Sequence, residues 1–303
     1  MNSPCVLRSV YKPTALRNPK PVKRAALIGI ILGASVISLW LLLAWLGKTE
    51  SNYRQPRPGM RFGMDQTNAV SKVYQPSRFA DGEISIYKVR VEKGILTLPA
   101  GKVTFTADLL DANSTKRWQF TLKGSAIGGL VKYDVTSIVN ASFTHALEYH
   151  TVQTDLASRK VDLAFDEKAR HCKRTLNGSP NGTVNTEPST FDPLSIIFKF
   201  REMDLDRPGE FSSAVCDGKA TFPAKVTVIG KEKIKIGEKT FKAILVEPDL
   251  GNLRGIFKKD PDAKLQIWLS DDSHRTALRI KTKIKYGTFI ADLADYQRPE
   301  PEE

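Results

Sequence analysis

Residues 25–46 read AALIGIILGASVISLWLLLAWL, an unbroken run of 22 positions without a charge or a proline. As a helix rising about 1.5 Å per residue it spans about 33 Å, close to the ~30 Å hydrocarbon core of a bilayer. The run exceeds the apolar core of a cleaved signal peptide, about 7–15 residues, and Ala44-Trp45-Leu46 puts a large residue where such cleavage needs a small one. Residues 25–47 therefore read as a single retained transmembrane helix, with Trp45 placed for the far interface. Gly29 and Gly33 form a GxxxG match through which two anchors could pair as a homodimer, although the motif is common by chance.

The flanking charge orients the anchor. Residues 1–24 hold Arg8, Lys12, Arg17, Lys20, Lys23 and Arg24 and no acid, which puts this basic tail in the cytoplasm and the rest of the chain outside it. Removing those six from the net charge of +13 leaves +7 beyond the tail. Such an excess steers a protein toward polyanions. The compartment, and the lack of aromatics interleaved with the basic residues, argue against nucleic acid.

Residues 48–78 contain Pro56, Pro58, Gly59, Gly63 and Pro76 without an apolar period, and read as a linker. From Phe79 the period becomes two. Val103, Phe105, Ala107 and Leu109 alternate with polar residues, as do Trp118, Phe120 and Leu122, then Val226 and Val228, Ile234 and Ile236, and Leu265, Ile267 and Leu269. These are half-buried strands with one wet face. Roughly a dozen are implied, an all-β antiparallel meander forming a barrel or half-barrel over residues 79–296, followed by an acidic tail at 297–303. Residues 176–191 read as a Gly/Ser/Asn/Thr/Pro loop. Asp192-Pro193-Leu194 then opens one short helix to about Met203, with Asp192 as cap and Pro193 in the first turn. Leu194, Ile197, Phe198 and Arg201 form its stripe.

The ordered segments Asp81-Gly82-Glu83, Val131-Lys132-Tyr133-Asp134-Val135, Leu163-Ala164-Phe165-Asp166, Phe191-Asp192-Pro193-Leu194-Ser195 and Ile267-Trp268-Leu269-Ser270-Asp271-Asp272 resemble a family of exported bacterial proteins known as domain of unknown function 3108. The resemblance covers about residues 79–294. It implies a bacterial, exported, barrel-like domain, hence an inner-membrane protein with its β domain in the periplasm, and brings no catalytic residues.

No residue set reaches the standard of a catalytic signature, and no cofactor motif appears. His145, His150 and His171 lie near Glu148, Asp155, Asp162 and Asp166. His145 and His150 are an odd number apart, however, and point to opposite faces of a strand, which disfavours a metal site. Asp271-Asp272 reads as a hairpin turn rather than a catalytic pair. Cys172 and Cys216 both follow the anchor, where a disulfide can form, with two separate buried thiols as the alternative; Cys5 lies before it.

Arg279, Lys281, Lys283 and Lys285 share one strand face. They are either solvated edge protection or a row for an anionic ligand. A sheet of a dozen strands curves wider than its own side chains fill, so it needs a guest or a plug. The expectation is a non-enzymatic envelope protein that binds an apolar or amphipathic ligand, a lipid or lipidated polypeptide. The groove would lie near Leu194, Ile197 and Phe198, with basic side chains at its rim. A protein that docks another envelope protein through its sheet edge or basic face is the alternative, and a hydrolase the second.

Overall fold

The computed structural model describes residues 78–112, 115–126, 129, 131–154, 158–249, 264–284 and 287–299. The expected anchor with its GxxxG match, the linker up to Ser77 and Lys285 lie outside these residues. No helix among the described residues is long and apolar enough to cross a membrane.

Fourteen strands form one sheet. The first eight are β1 (Glu83–Lys93), β2 (Leu96–Ala112), β3 (Thr115–Ala126), β4 (Val131–Asn140), β5 (Ala146–Thr154), β6 (Arg159–Asp166), β7 (His171–Leu176) and β8 (Ser179–Asn185). The helix α1 (Ser195–Glu202) follows. The remaining six are β9 (Gly209–Cys216), β10 (Thr221–Ile236), β11 (Lys239–Pro248), β12 (Lys264–Ser270), β13 (Ala277–Ile284) and β14 (Gly287–Gln297). Each strand pairs antiparallel with its sequence neighbour within two meanders, β1 to β8 and β9 to β14, and pairing of β1 with β14 joins them. The ladder does not close: β8 and β9 are its two edges.

The segment expected as a loop at 176–191 holds β8. Asn177 and Gly178 both take positive φ, 51° and 82°, at the tip of the β7–β8 hairpin, and an Asn-Gly pair favours such a turn. Nearly every side chain of β8 is exposed, so no alternation marks it.

Alternation does govern the interior. Val103, Ala107, Trp118, Phe120, Leu122, Val226, Val228 and Leu269 are all buried in one core. A second, smaller cluster of Ile234, Ala243, Trp268 and Leu278 forms on the outer face. Trp268 alternates with Leu265, Ile267 and Leu269 and so points outward.

The curl brings the two edges near each other. Phe191 makes a parallel bridge to Val215, its N–H donating to Ala214 O and its O accepting from Cys216 N, both at 2.9 Å. Ala146 N–H donates to Thr190 O at 3.0 Å on the other side. One extended stretch before the helix thus stitches β9 to the start of β5.

Candidate functional site

Helix α1 lies inside the curl, and its start is built by Asp192. That carboxylate is fully buried and accepts from the N–H groups of Leu194 and Ser195 at 2.8 and 3.0 Å and from the Ser195 hydroxyl at 2.7 Å, with the Ser137 hydroxyl as a further donor. Burial pushes its pKa up, against these donors.

The helix has two working faces, displaced by one residue. Leu194, Phe198 and Arg201 point one way. Phe198 stacks on Phe120 at 4.1 Å and meets Phe79 edge-on at 5.5 Å, inside an aromatic cluster that includes Trp118 and Phe143. Pro193, Ile197 and Phe200 point the other way, into a cavity of about 160 Å³. Its far wall is the inner face of the second meander, including Val226, Val246, Ile267 and Ile280, together with Val103 and Phe105 of β2.

The charged residues among the described lining are Arg201, Lys225 and Asp249. Arg201 is engaged with Glu83, its Nη1 donating at 2.7 Å. Lys225 pairs with Glu210 at 2.7 Å while its side chain is 38% exposed, so the cavity reaches solvent there. The hydroxyl of Tyr87 donates to Ala277 O at 2.8 Å, and burial pushes its pKa up, leaving its ring to the void. Apart from the three charged residues, the described lining residues are apolar or aromatic.

The expected groove residues thus divide. Ile197 lines the cavity. Leu194 is wholly buried in the aromatic core, and Phe198 touches only an adjoining void of about 30 Å³. Phe200 and Ile196, which the sequence reading passed over, complete the cavity face. A 193/197/200 row with 4,3 spacing was the available signal.

The basic row does not form the cavity rim. Ile280 lines the cavity, so Arg279, Lys281 and Lys283 face outward by alternation. Arg279 is tied to Asp292 and to Lys235 O. The basic groups that do line the cavity are Arg201, which is tied to Glu83, and Lys225.

The Cys172–Cys216 disulfide is absent: both are free, fully buried thiols. They nevertheless lie side by side, and the neighbouring Cys216 thiol, then burial, pushes the Cys172 thiol well up. The two strands meet at the seam of the curl, where Gly218 N–H donates to Cys216 Sγ at 3.4 Å.

His150 sits between Asp162 and Glu148 at 2.8 and 3.1 Å, whereas His145 bonds Thr144 in a different environment. No group of three or more His, Cys, Asp or Glu among the described residues could hold a metal ion. Asp271 and Asp272 are turn residues. Asp271 pairs with Lys231 at 2.8 Å, and Asp272 accepts from the N–H of His274 and of Arg275 at 2.8 and 3.1 Å.

Among solved structures, a β-barrel-like protein of domain of unknown function DUF1849 from Brucella abortus aligns with 9% identity and a TM-score of 0.47, covering 73% of this chain and 99% of its own. A candidate exported protein with a YmcC-like fold from Bacteroides fragilis aligns with 8% identity and a TM-score of 0.33 over 74% of this chain and all of its own. A candidate lipoprotein from Parabacteroides distasonis aligns with 10% identity and a TM-score of 0.32 over 73% of this chain and 99% of its own. A search of curated proteins gives no match. The sequence profile of the family described as protein of unknown function (DUF3108) matches residues 83–294, and this chain belongs to that family.

Proposed function

We propose that this protein is a non-enzymatic, membrane-anchored envelope protein that holds the apolar part of a lipid or lipidated polypeptide in the cavity beside α1. The observation that carries the reading is the cavity itself: about 160 Å³, walled by Ile197, Phe200 and the inner faces of β10 to β13, and charged chiefly at its Lys225 end. A void of about 150 Å³ lined by aliphatic side chains stays dry and takes up an apolar guest. An acyl segment would fill it, while the polar end of the same molecule leaves past Lys225. The anchor expected at residues 25–47 would hold the domain at a bilayer, where such ligands occur.

The test is cross-linking of the full chain in membranes with a diazirine-bearing fatty acid, mapped by peptide mass spectrometry. The expected adducts fall on residues 193–200, 222–226 and 265–280, and Ile197→Trp, which fills the cavity, abolishes them. Adducts confined to residues 25–47, unchanged by Ile197→Trp, would remove the basis of the reading. They would favour the docking alternative, for which the exposed edge strand β8 offers the surface.

A further inference from the structure

The β1–β2 hairpin ends in Lys93-Gly94-Ile95-Leu96. Ile95 at its tip is fully exposed, Leu96 is 60% exposed and Leu98 42%. Single exposed apolar residues are ordinary on a protein surface. Three within four positions at a hairpin tip are a local patch that water does not favour.

The register shows what the patch belongs to. Leu98 pairs with Val91, Val91 with Phe289, Phe289 with Thr282, and Thr282 with Leu265. Leu265 lines the cavity. Directly paired residues share a face, so Leu98, and Leu96 two positions on, continue the apolar inner face beyond the covered part of the sheet.

The charge around the patch is one-sided. Glu92 is tied to Arg90 at 3.2 Å, Asp292 to Arg90 and Arg279, and Glu247 to Lys264 at 3.2 Å. Lys93, at the tip, and Lys281 and Lys283, on the outer face of the same sheet end, make no ion pair among the described residues. An apolar tip flanked by uncompensated lysines matches a surface that is apolar within and anionic at its boundary.

We propose that the β1–β2 hairpin docks on an anionic phospholipid leaflet, with Ile95, Leu96 and Leu98 entering the acyl boundary and Lys93, Lys281 and Lys283 meeting headgroup phosphates. This contact is separate from the expected anchor and does not depend on what fills the cavity. The domain enters at Arg78, beside the start of β1, whereas the tip lies at the far end of that strand. The 30 residues from Lys48 to Ser77 could extend to roughly 100 Å, enough to present either end to a bilayer.

The experiment uses the full chain with Cys5→Ser and Ile95→Cys, labelled with an environment-sensitive fluorophore; Cys172 and Cys216 are buried. The control carries Glu238→Cys, an exposed position at the opposite end of the sheet, in place of Ile95→Cys. Each is reconstituted into vesicles of phosphatidylcholine, with or without phosphatidylglycerol, in which nitroxide-labelled lipid acts as quencher. In the anionic vesicles the label at 95 loses more than half its emission and the label at 238 keeps its own. Lys281→Gln with Lys283→Gln lowers the bound-to-free ratio by roughly 30-fold, the attraction of two surface lysines. Emission at 95 that matches position 238 in both vesicle types would overturn the proposal and leave the tip to a protein partner. Equal quenching without phosphatidylglycerol would overturn the role of the lysines.

Discussion

Arg201 near the end of α1 and Glu83 at the start of β1 form a two-pronged ion pair, Nη1 to Oε1 at 2.7 Å and Nη2 to Oε2 at 3.3 Å, across 118 residues of sequence. Both are almost wholly buried, at 5% and 2% exposure. Much of the remaining capacity is used locally, although Arg201 Nε is buried without a partner among the described residues. Arg201 Nη2 also donates to the carbonyls of Arg78 and His274, at 2.7 and 3.0 Å, and the Tyr296 hydroxyl donates to Glu83 Oε2 at 3.2 Å. One side chain therefore ties the helix to the chain entry, the β12–β13 turn and the β1–β14 pairing that joins the two meanders. A pair this deep contributes position more than net stability, because removing both charges from water offsets most of their attraction.

Breaking it from one side leaves a buried charge without its main partner: Arg201 loses its carboxylate, or Glu83 keeps, among the described residues, only the cation of Arg298, whose Nη1 stands 3.8 Å away. Glu83→Gln or Arg201→Met alone is expected to cost about 3–5 kcal/mol, a fall in Tm on the order of 10 °C for a domain of this size. The double variant falls by less than the sum of the two. Thermal unfolding followed by near-ultraviolet circular dichroism checks it; additive losses would mean that the two groups do not act as a pair.

The two faces of the helix make a second contrast. Phe198→Ala empties a packed aromatic site and is expected to cost about 3–5 kcal/mol. Phe200→Ala only widens a void that already exists, so its cost is lower, about 1–2 kcal/mol, while acyl cross-linking near residue 200 changes. Denaturant midpoints of the two variants decide this. Equal losses would place Phe200 in a filled core.

These faces also mark where the sequence stopped being informative. Strands with one wet side announce themselves through period two, as Trp118, Phe120 and Leu122 do, and the Asp192-Pro193 start of the helix follows from local capping chemistry. Neighbouring helical rows that are both apolar cannot be separated without knowing what each faces, so Leu194 and Phe198 read like Ile197. Strand β8 carries no pattern because it buries almost nothing. The outward placement of the lysine row was implicit in its alternation with Ile280 and Thr282, but which of the two sides was interior required the fold.

Asp192 predicts a pH dependence. Burial raises its folded pKa above the unfolded value, so between the two the folded state holds more proton than the unfolded state. Its contribution is therefore fully present below the unfolded pKa, near 3.8, and is lost as pH rises through the folded pKa. Asp192→Asn keeps an oxygen for the Leu194 and Ser195 amides and cannot titrate. The difference in stability between wild type and this variant should shift against the wild type on going from below pH 4 upward, and level off only above the folded pKa. Urea titrations across that range check the sign; a shift toward the wild type would show that the donors around the carboxylate outweigh its burial.

The last prediction concerns the seam where the curl nearly closes. Gly218, in the β9–β10 turn, has φ +80°, and a Cβ there would stand 2.3 Å from Leu163 Cδ2 and 2.9 Å from Arg174 Cδ. The turn from one edge of the sheet is therefore pressed against β6 and β7 near the other, beside Cys172 and Cys216. Gly218→Ala adds a positive-φ penalty of about 1–2 kcal/mol to an overpacking cost of about 1–3 kcal/mol. Gly178→Ala is the control, because φ is +82° there but nothing lies within 4 Å of the new carbon. The difference between the two variants isolates the steric share. Hydrogen exchange locates it: the amides of Phe191 and Cys216, which stitch the seam, should exchange faster in Gly218→Ala, while those of the β1–β2 ladder hold. If Gly218→Ala is no less stable than Gly178→Ala, with unchanged exchange at Phe191 and Cys216, the two ends of the sheet are not packed together in solution.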